Sequence, residues 1–234
     1  MVGYRDLADS VFQNRCFEHP KGTVRVVNEK KSDKGDVLLY VDLKTQGTPI
    51  KLCNRLLKDT AGIFAPENEK KGRISFRSDC DGVCLLETKG KGYLLLMEVK
   101  SGYDGIEKKG FMQIVASYVK TRCILNTIKE YKSTDYVEKA IFVSYPPMPA
   151  AIQENEDVYE YKEHMIAPSQ MDVVNREYAT ALRVDGKVTI DLNKYNIQEC
   201  HLNPALYNPV LEVVHVAVAE GIPSAELDID AILA

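Results

Sequence analysis

Asp81, Glu98 and Lys100 are the residues whose types and spacing suit them for chemistry. Asp81 opens the run Gly-Val-Cys-Leu-Leu-Glu-Thr, and Glu98-Val99-Lys100 closes the run Tyr-Leu-Leu-Leu-Met, with Lys-Gly-Lys-Gly between them. If the two runs fold back on each other, both carboxylates and the ammonium meet at one point. Paired carboxylates offer a hard divalent cation the oxygen ligands it prefers. An ammonium beside them neutralises charge that develops on a reacting phosphate. Together they have the ingredients of metal-assisted phosphodiester hydrolysis.

The meeting depends on register. With Lys89-Gly90 as a two-residue loop, Thr88 faces Lys91 and Asp81 stands opposite Glu98, their Cβ atoms roughly 4.5–5.5 Å apart. A four-residue loop closed by Glu87 and Gly92 keeps the same pairing. A loop centred on Gly90 would set Asp81 opposite Val99 and turn the acids to different faces. Lys-Gly is a poorer two-residue turn than Asn-Gly, because lysine tolerates positive φ badly. Side chains alternate along a strand, so Val83, Leu85, Leu94 and Leu96 share a face with Asp81, Glu98 and Lys100. Asp79 falls on that face too and is a rival to Asp81.

The elements that must position these residues follow from apolar periodicity. Phe111, Ile114, Val115, Tyr118, Val119, Leu125 and Ile128 recur at helical spacing and predict a helix over residues 106–130 that carries Gln113. Lys139 to Tyr145 predicts a buried strand stopped by Pro146-Pro147. Upstream, the pattern predicts a short helix over 4–18 and a hairpin of 23–27 with 36–43 around Asp33-Lys-Gly35. Residues 50–57 read as a short helix, 66–72 as a polar loop and 73–76 as a short strand. Downstream, residues 181–192 read as a hairpin turning at Asp185-Gly186. The stretch between Asn208-Pro209 and Gly221 has helix-end signals but many valines, and the helix is favoured. The fold class that results is α/β, a central mixed β-sheet flanked by helices. Residues 1–145 form the core, and 146–234 form an acidic C-terminal extension packed on it, not an independent domain.

At 234 residues and 45% hydrophobic content, the chain is long enough and apolar enough for a sizeable core. It has no run approaching the roughly 18 apolar residues of a membrane helix and no secretory signal pattern at its start, so the expectation is a cytoplasmic protein with no membrane partner. Six cysteines without a Cys-x-x-Cys pair argue for reduced thiols over zinc or a disulfide framework. Neither the four histidines nor any glycine-rich loop has the spacing of a metal or nucleotide site. The net charge of −4 averages two unlike regions. Residues 21–132 hold 22 Lys and Arg against 14 acids, a net +8, whereas residues 133–234 hold 6 against 17, a net −11. The basic region has local clusters at Lys30-Lys31, Lys70-Lys71-x-Arg73, Lys89, Lys91 and Lys108-Lys109, a surface suited to a phosphate backbone.

Asp81, sixteen intervening residues, Glu98-Val99-Lys100 at the end of a leucine-rich strand, then Gln113 in the following helix: this resembles the PD-(D/E)XK, or restriction-endonuclease-like, nuclease superfamily over roughly residues 74–145. The chain departs from the family pattern at Cys80, where some members carry proline, and at Ser117, where members with a Gln-x-x-x-Tyr helix motif carry tyrosine. The resemblance implies a restriction-endonuclease-like core and a hydrolase of the endonuclease kind, acting on DNA in preference to RNA, in restriction or antiviral defence. It implies Mg²⁺, with Mn²⁺ able to substitute, held by Asp81, Glu98 and the main-chain carbonyl of Val99. Asp81, Glu98, Lys100 and Gln113 are then the catalytic set, Lys100 steadying the water or the phosphorane and Gln113 orienting it. A homodimer would suit double-strand cutting. The other class of reading is a nuclease-like scaffold that binds without cutting and docks a basic protein partner through the acidic C-terminal segment.

Overall fold

A computed structural model describes residues 1–8, 12, 14–28, 37–64, 74–147 and 170–234. Among these, ten strands run in chain order: β1 (Phe17–Glu18), β2 (Thr23–Val27), β3 (Tyr40–Lys44), β4 (Thr48–Leu52), β5 (Gly82–Thr88), β6 (Lys91–Lys100), β7 (Tyr136–Ser144), β8 (Lys187–Asp191), β9 (Val210–Ala217) and β10 (Ser224–Asp228). The α-helices are α1 (Tyr4–Ala8), α2 (Asn54–Ala61), α3, α4 (Gln170–Asp185) and α5 (Ile229–Ile232). Helix α3 starts at Tyr103–Gly105, passes through a π-helical stretch at Ile106–Gly110 and continues as Phe111–Leu125.

Seven strands form one mixed sheet in the order β1-β4-β5-β6-β7-β9-β8, and β10-β3-β2 form a second. Strands β6, β7 and β9 run parallel, and every other pairing in the large sheet is antiparallel. Alternation along the central strands splits their side chains between two cores. Val83, Leu85, Leu94, Leu96 and Phe142 face α2, α3 and α4. Cys84, Leu86, Leu95, Met97, Val99 and Ile141 face the small sheet. The order of layers is therefore helices, large sheet, small sheet, and the central strands are apolar on both faces because both are covered.

The hairpin of β5 and β6 takes the expected register, with Thr88 opposite Lys91 and Gly82 opposite Met97. Its turn has φ of 49° at Lys89 and 73° at Gly90, the left-handed pair of a type I′ connection. Lysine accepts that conformation here because the long ladders on either side hold it there.

Other elements differ from expectation. Residues 48–52 extend as a strand beside β5, and the helix begins only at Asn54. The described residues of 4–18 make one short helix, a 3₁₀ turn at Asn14–Cys16 and β1. Residues 74–76 form no strand. The expected hairpin at Asp185-Gly186 is instead the end of α4, whose buried Met171, Val174, Tyr178 and Leu182 recur at helical spacing. Gly186 closes it by donating its N–H to the Leu182 carbonyl. The stretch after Pro209 is β9, not a helix, since its β-branched residues fit between β7 and β8. Residues after 145 contribute to both sheets: β8 and β9 complete the large one and β10 the small one. The clusters at Lys30-Lys31 and Lys70 to Arg73, the turn at Asp33 to Gly35, the polar loop over 66–72 and the acidic stretch over 148–169 lie outside the described residues. Among the described residues no helix is long and apolar enough to cross a membrane.

Candidate active site

The ladder of β5 begins at Gly82, so Asp81 sits one position before it, across from Glu98 in the same register. The two acids interlock. The Asp81 N–H donates to Glu98 Oε2 at 3.1 Å, and the Val99 N–H donates to Asp81 Oδ2 at 2.8 Å. Lys100 Nζ donates to Glu98 Oε1 and, at 2.9 Å, to Gln113 Oε1. Gln113 Nε2 donates in turn to the Asp79 carbonyl at 2.8 Å. Asp81, Glu98, Val99, Lys100 and Gln113 are thus one connected group at the end of the hairpin. It is recessed: Asp81 is 6% exposed, Glu98 0% and Lys100 5%.

Burial dominates the electrostatics. It pushes the Glu98 carboxyl up to about 8, with the Asp81 charge adding to the rise and Lys100 opposing it. The rise reflects two acids crowded at one buried point with a single ammonium: ionising both would leave an excess negative charge, which a divalent cation would relieve. The donor set also suits a hard cation, being made of carboxylate oxygens. In extended backbone the N–H and C=O of one residue point to the same neighbour. The Val99 carbonyl therefore faces the edge where its N–H meets Asp81, and the residues fit Mg²⁺ or Mn²⁺. Among the described residues no three His, Cys, Asp or Glu side chains gather for a metal, so a third protein ligand would be a carbonyl and not a side chain. The Cys80 thiol next to the pair is pushed up to about 12, first by burial and then by Glu98, and is no nucleophile.

Helix α3 comes close enough to touch the strand ends because glycines face them. A Cβ on Gly105 would lie 3.1 Å from Lys100 Cδ, and one on Gly110 would lie 2.7 Å from Phe142 Cε1. The π-helical stretch between these glycines adds a residue to the turn and sets the phase with which Gln113 reaches Lys100.

Three polar neighbours of the group were not foreseen. Ser117 Oγ accepts the Cys80 N–H at 2.7 Å. Lys120 Nζ donates to the carbonyls of Phe76 at 2.8 Å and Ser78 at 3.0 Å, and to Asp79 Oδ1. Asn54 Nδ2 donates to the Asp81 carbonyl at 3.2 Å. The available signal was the polar stripe Gln113, Ser117, Lys120 at positions i, i+4 and i+7 of an otherwise apolar helix. Asp79, the rival to Asp81, directs its carboxylate to Lys120. The only glutamate of the first helix candidate, Glu18, lies exposed on β1 and pairs with Lys51 at 3.6 Å. Lys89 and Lys91 sit at the turn, roughly 25 Å from the acids at about 3.3 Å per residue. Lys108 and Lys109 lie in the π-helical stretch, Lys108 paired with Asp104 at 3.3 Å.

Comparison of the chain with protein-family models, with curated proteins and with solved structures finds no match in any of the three.

Proposed function

We propose that this chain is a metal-dependent nuclease that hydrolyses phosphodiester bonds, built on a restriction-endonuclease-like core. The observation that carries the reading is the interlocked pair Asp81 and Glu98, with Lys100 tied to Glu98 and Gln113, at the end of a hairpin of the expected register. The preference for DNA over RNA and a role in restriction or antiviral defence rest on the family resemblance alone.

Asp81, Glu98 and the Val99 carbonyl would hold the cation. When bound, it supplies the Lewis acidity that polarises the scissile phosphate and acidifies the attacking water. The chain's own residues do the rest. Gln113 and Glu98 take two of the three ammonium donors of Lys100, leaving one for a phosphate oxygen. That donor is buried, and in such low-dielectric surroundings it stabilises developing negative charge more than an exposed lysine would. Gln113, anchored on the Asp79 carbonyl, keeps the lysine from swinging away.

Purified protein with Mg²⁺ or Mn²⁺ should degrade plasmid or single-stranded DNA, and Glu98→Ala or Lys100→Ala should lower the rate by at least ~10²-fold. Cleavage that survives both substitutions would overturn the assignment. The scaffold reading has one observation in its favour: Asp81 and Glu98 already accept hydrogen bonds from Val99, Asp81 and Lys100, and a cation must compete with these. Calorimetric titration with Mn²⁺ separates the two, since a scaffold would show no binding with or without DNA.

A further inference from the structure

The position of Asp81 is not secured by its strand, because the β5 ladder starts one residue later. What precedes it is irregular backbone, residues 77–80, and that segment is fastened to α3. Ser117 holds the Cys80 amide, Gln113 holds the Asp79 carbonyl, and Lys120 holds two carbonyls and a carboxylate. Lys120 is fully buried, so its ammonium is tolerable only if every donor is satisfied. It has three donors and meets three acceptors, those of Phe76, Ser78 and Asp79. Such a tripod has one arrangement, and it fixes the path of the backbone into Asp81.

We infer that the Ser117 and Lys120 face of α3 is a positioning element for Asp81: it sets where that carboxylate stands relative to Glu98 by clamping residues 76–80. The inference rests on Asp81 and Glu98 as the cation ligands for its consequence, but the clamp itself has a direct reporter. The Val99 N–H is bonded to Asp81 Oδ2, so its protection from hydrogen exchange reads the placement of the carboxylate whether or not metal binds or DNA is cut.

The test uses the full chain with Lys120→Met and Asp79→Asn combined, so that neither buried charge loses its partner alone. Backbone amide exchange is followed by NMR, and Mn²⁺ affinity by calorimetry. The expected result is exchange at Val99 at least tenfold faster than in the unmodified chain, unchanged exchange at Leu95 in mid-strand, and Mn²⁺ affinity at least tenfold weaker. If the double variant does not fold, Ser117→Ala, which removes only the acceptor of the Cys80 amide, is read the same way and should shift Val99 in the same direction. A folded variant in which Val99 stays as protected as before overturns the inference. If the unmodified chain binds no Mn²⁺, the metal-site reading fails, and Val99 exchange still decides the clamp.

Discussion

A carboxylate one residue outside its ladder and a carboxylate at the end of the next strand can meet only if the register between them is right. That much was legible, because a side-chain period of two and a short turn leave few choices. Lys120 was not legible, because its partners are carbonyls on a segment whose path no local pattern specifies. His215 is a similar case. It lies in the same row of the sheet as Glu98 and Phe142, under the edge of the Tyr103 ring at 5.1 Å between centroids, with Arg183 over that ring at 4.9 Å. Ser144 gives its only hydroxyl proton to the Tyr145 carbonyl, so His215 donates through Nε2 to Ser144 Oγ at 2.9 Å. Burial pulls its pKa from 6.5 to about 4. The unfolded chain therefore binds the proton first, and this contribution to stability is present above pH 6.5 and lost as the pH falls toward 4. Its size is at most on the order of 3 kcal/mol. Urea unfolding of the unmodified chain and of His215→Gln across that range should show a steeper loss in the former.

At the scale of elements, the misread segments share a cause. Asp185-Gly186 ends a helix as readily as it turns a hairpin, and only the buried face of α4 distinguishes them. The valines of β9 outweighed the helix-end signals around them once neighbours on both sides gave their branches something to pack on. The long apolar period of α3 was legible, but its start was not, since six of the eight residues from Tyr103 to Gly110 are glycine or charged. Those glycines decide how near the helix sits. Alanine at position 110 would gain roughly 0.5–1 kcal/mol of helix propensity. It would also drive a methyl into the Phe142 ring, and overpacking of a full core costs about 1–3 kcal/mol. The clash wins, so Gly110→Ala should lower stability in urea denaturation and reduce cleavage with it.

For the molecule as a whole, charge and architecture divide the chain differently. The net charge changes sign near residue 133, but β6 pairs with β7 and β3 with β10 across that divide. A chain cut after residue 145 would leave β7 with a bare edge and the small sheet with two strands. Circular dichroism of that fragment should show no cooperative thermal transition. The pairing of Tyr40 with Ser224 also has a consequence in time. The hairpin bearing the acids is local and can close as soon as it leaves the ribosome, but one edge of β3 must wait for a strand made some 180 residues later. At roughly 5–20 residues per second, that is a delay of about 10–40 seconds in which the nascent chain carries an unpaired edge next to a finished hairpin.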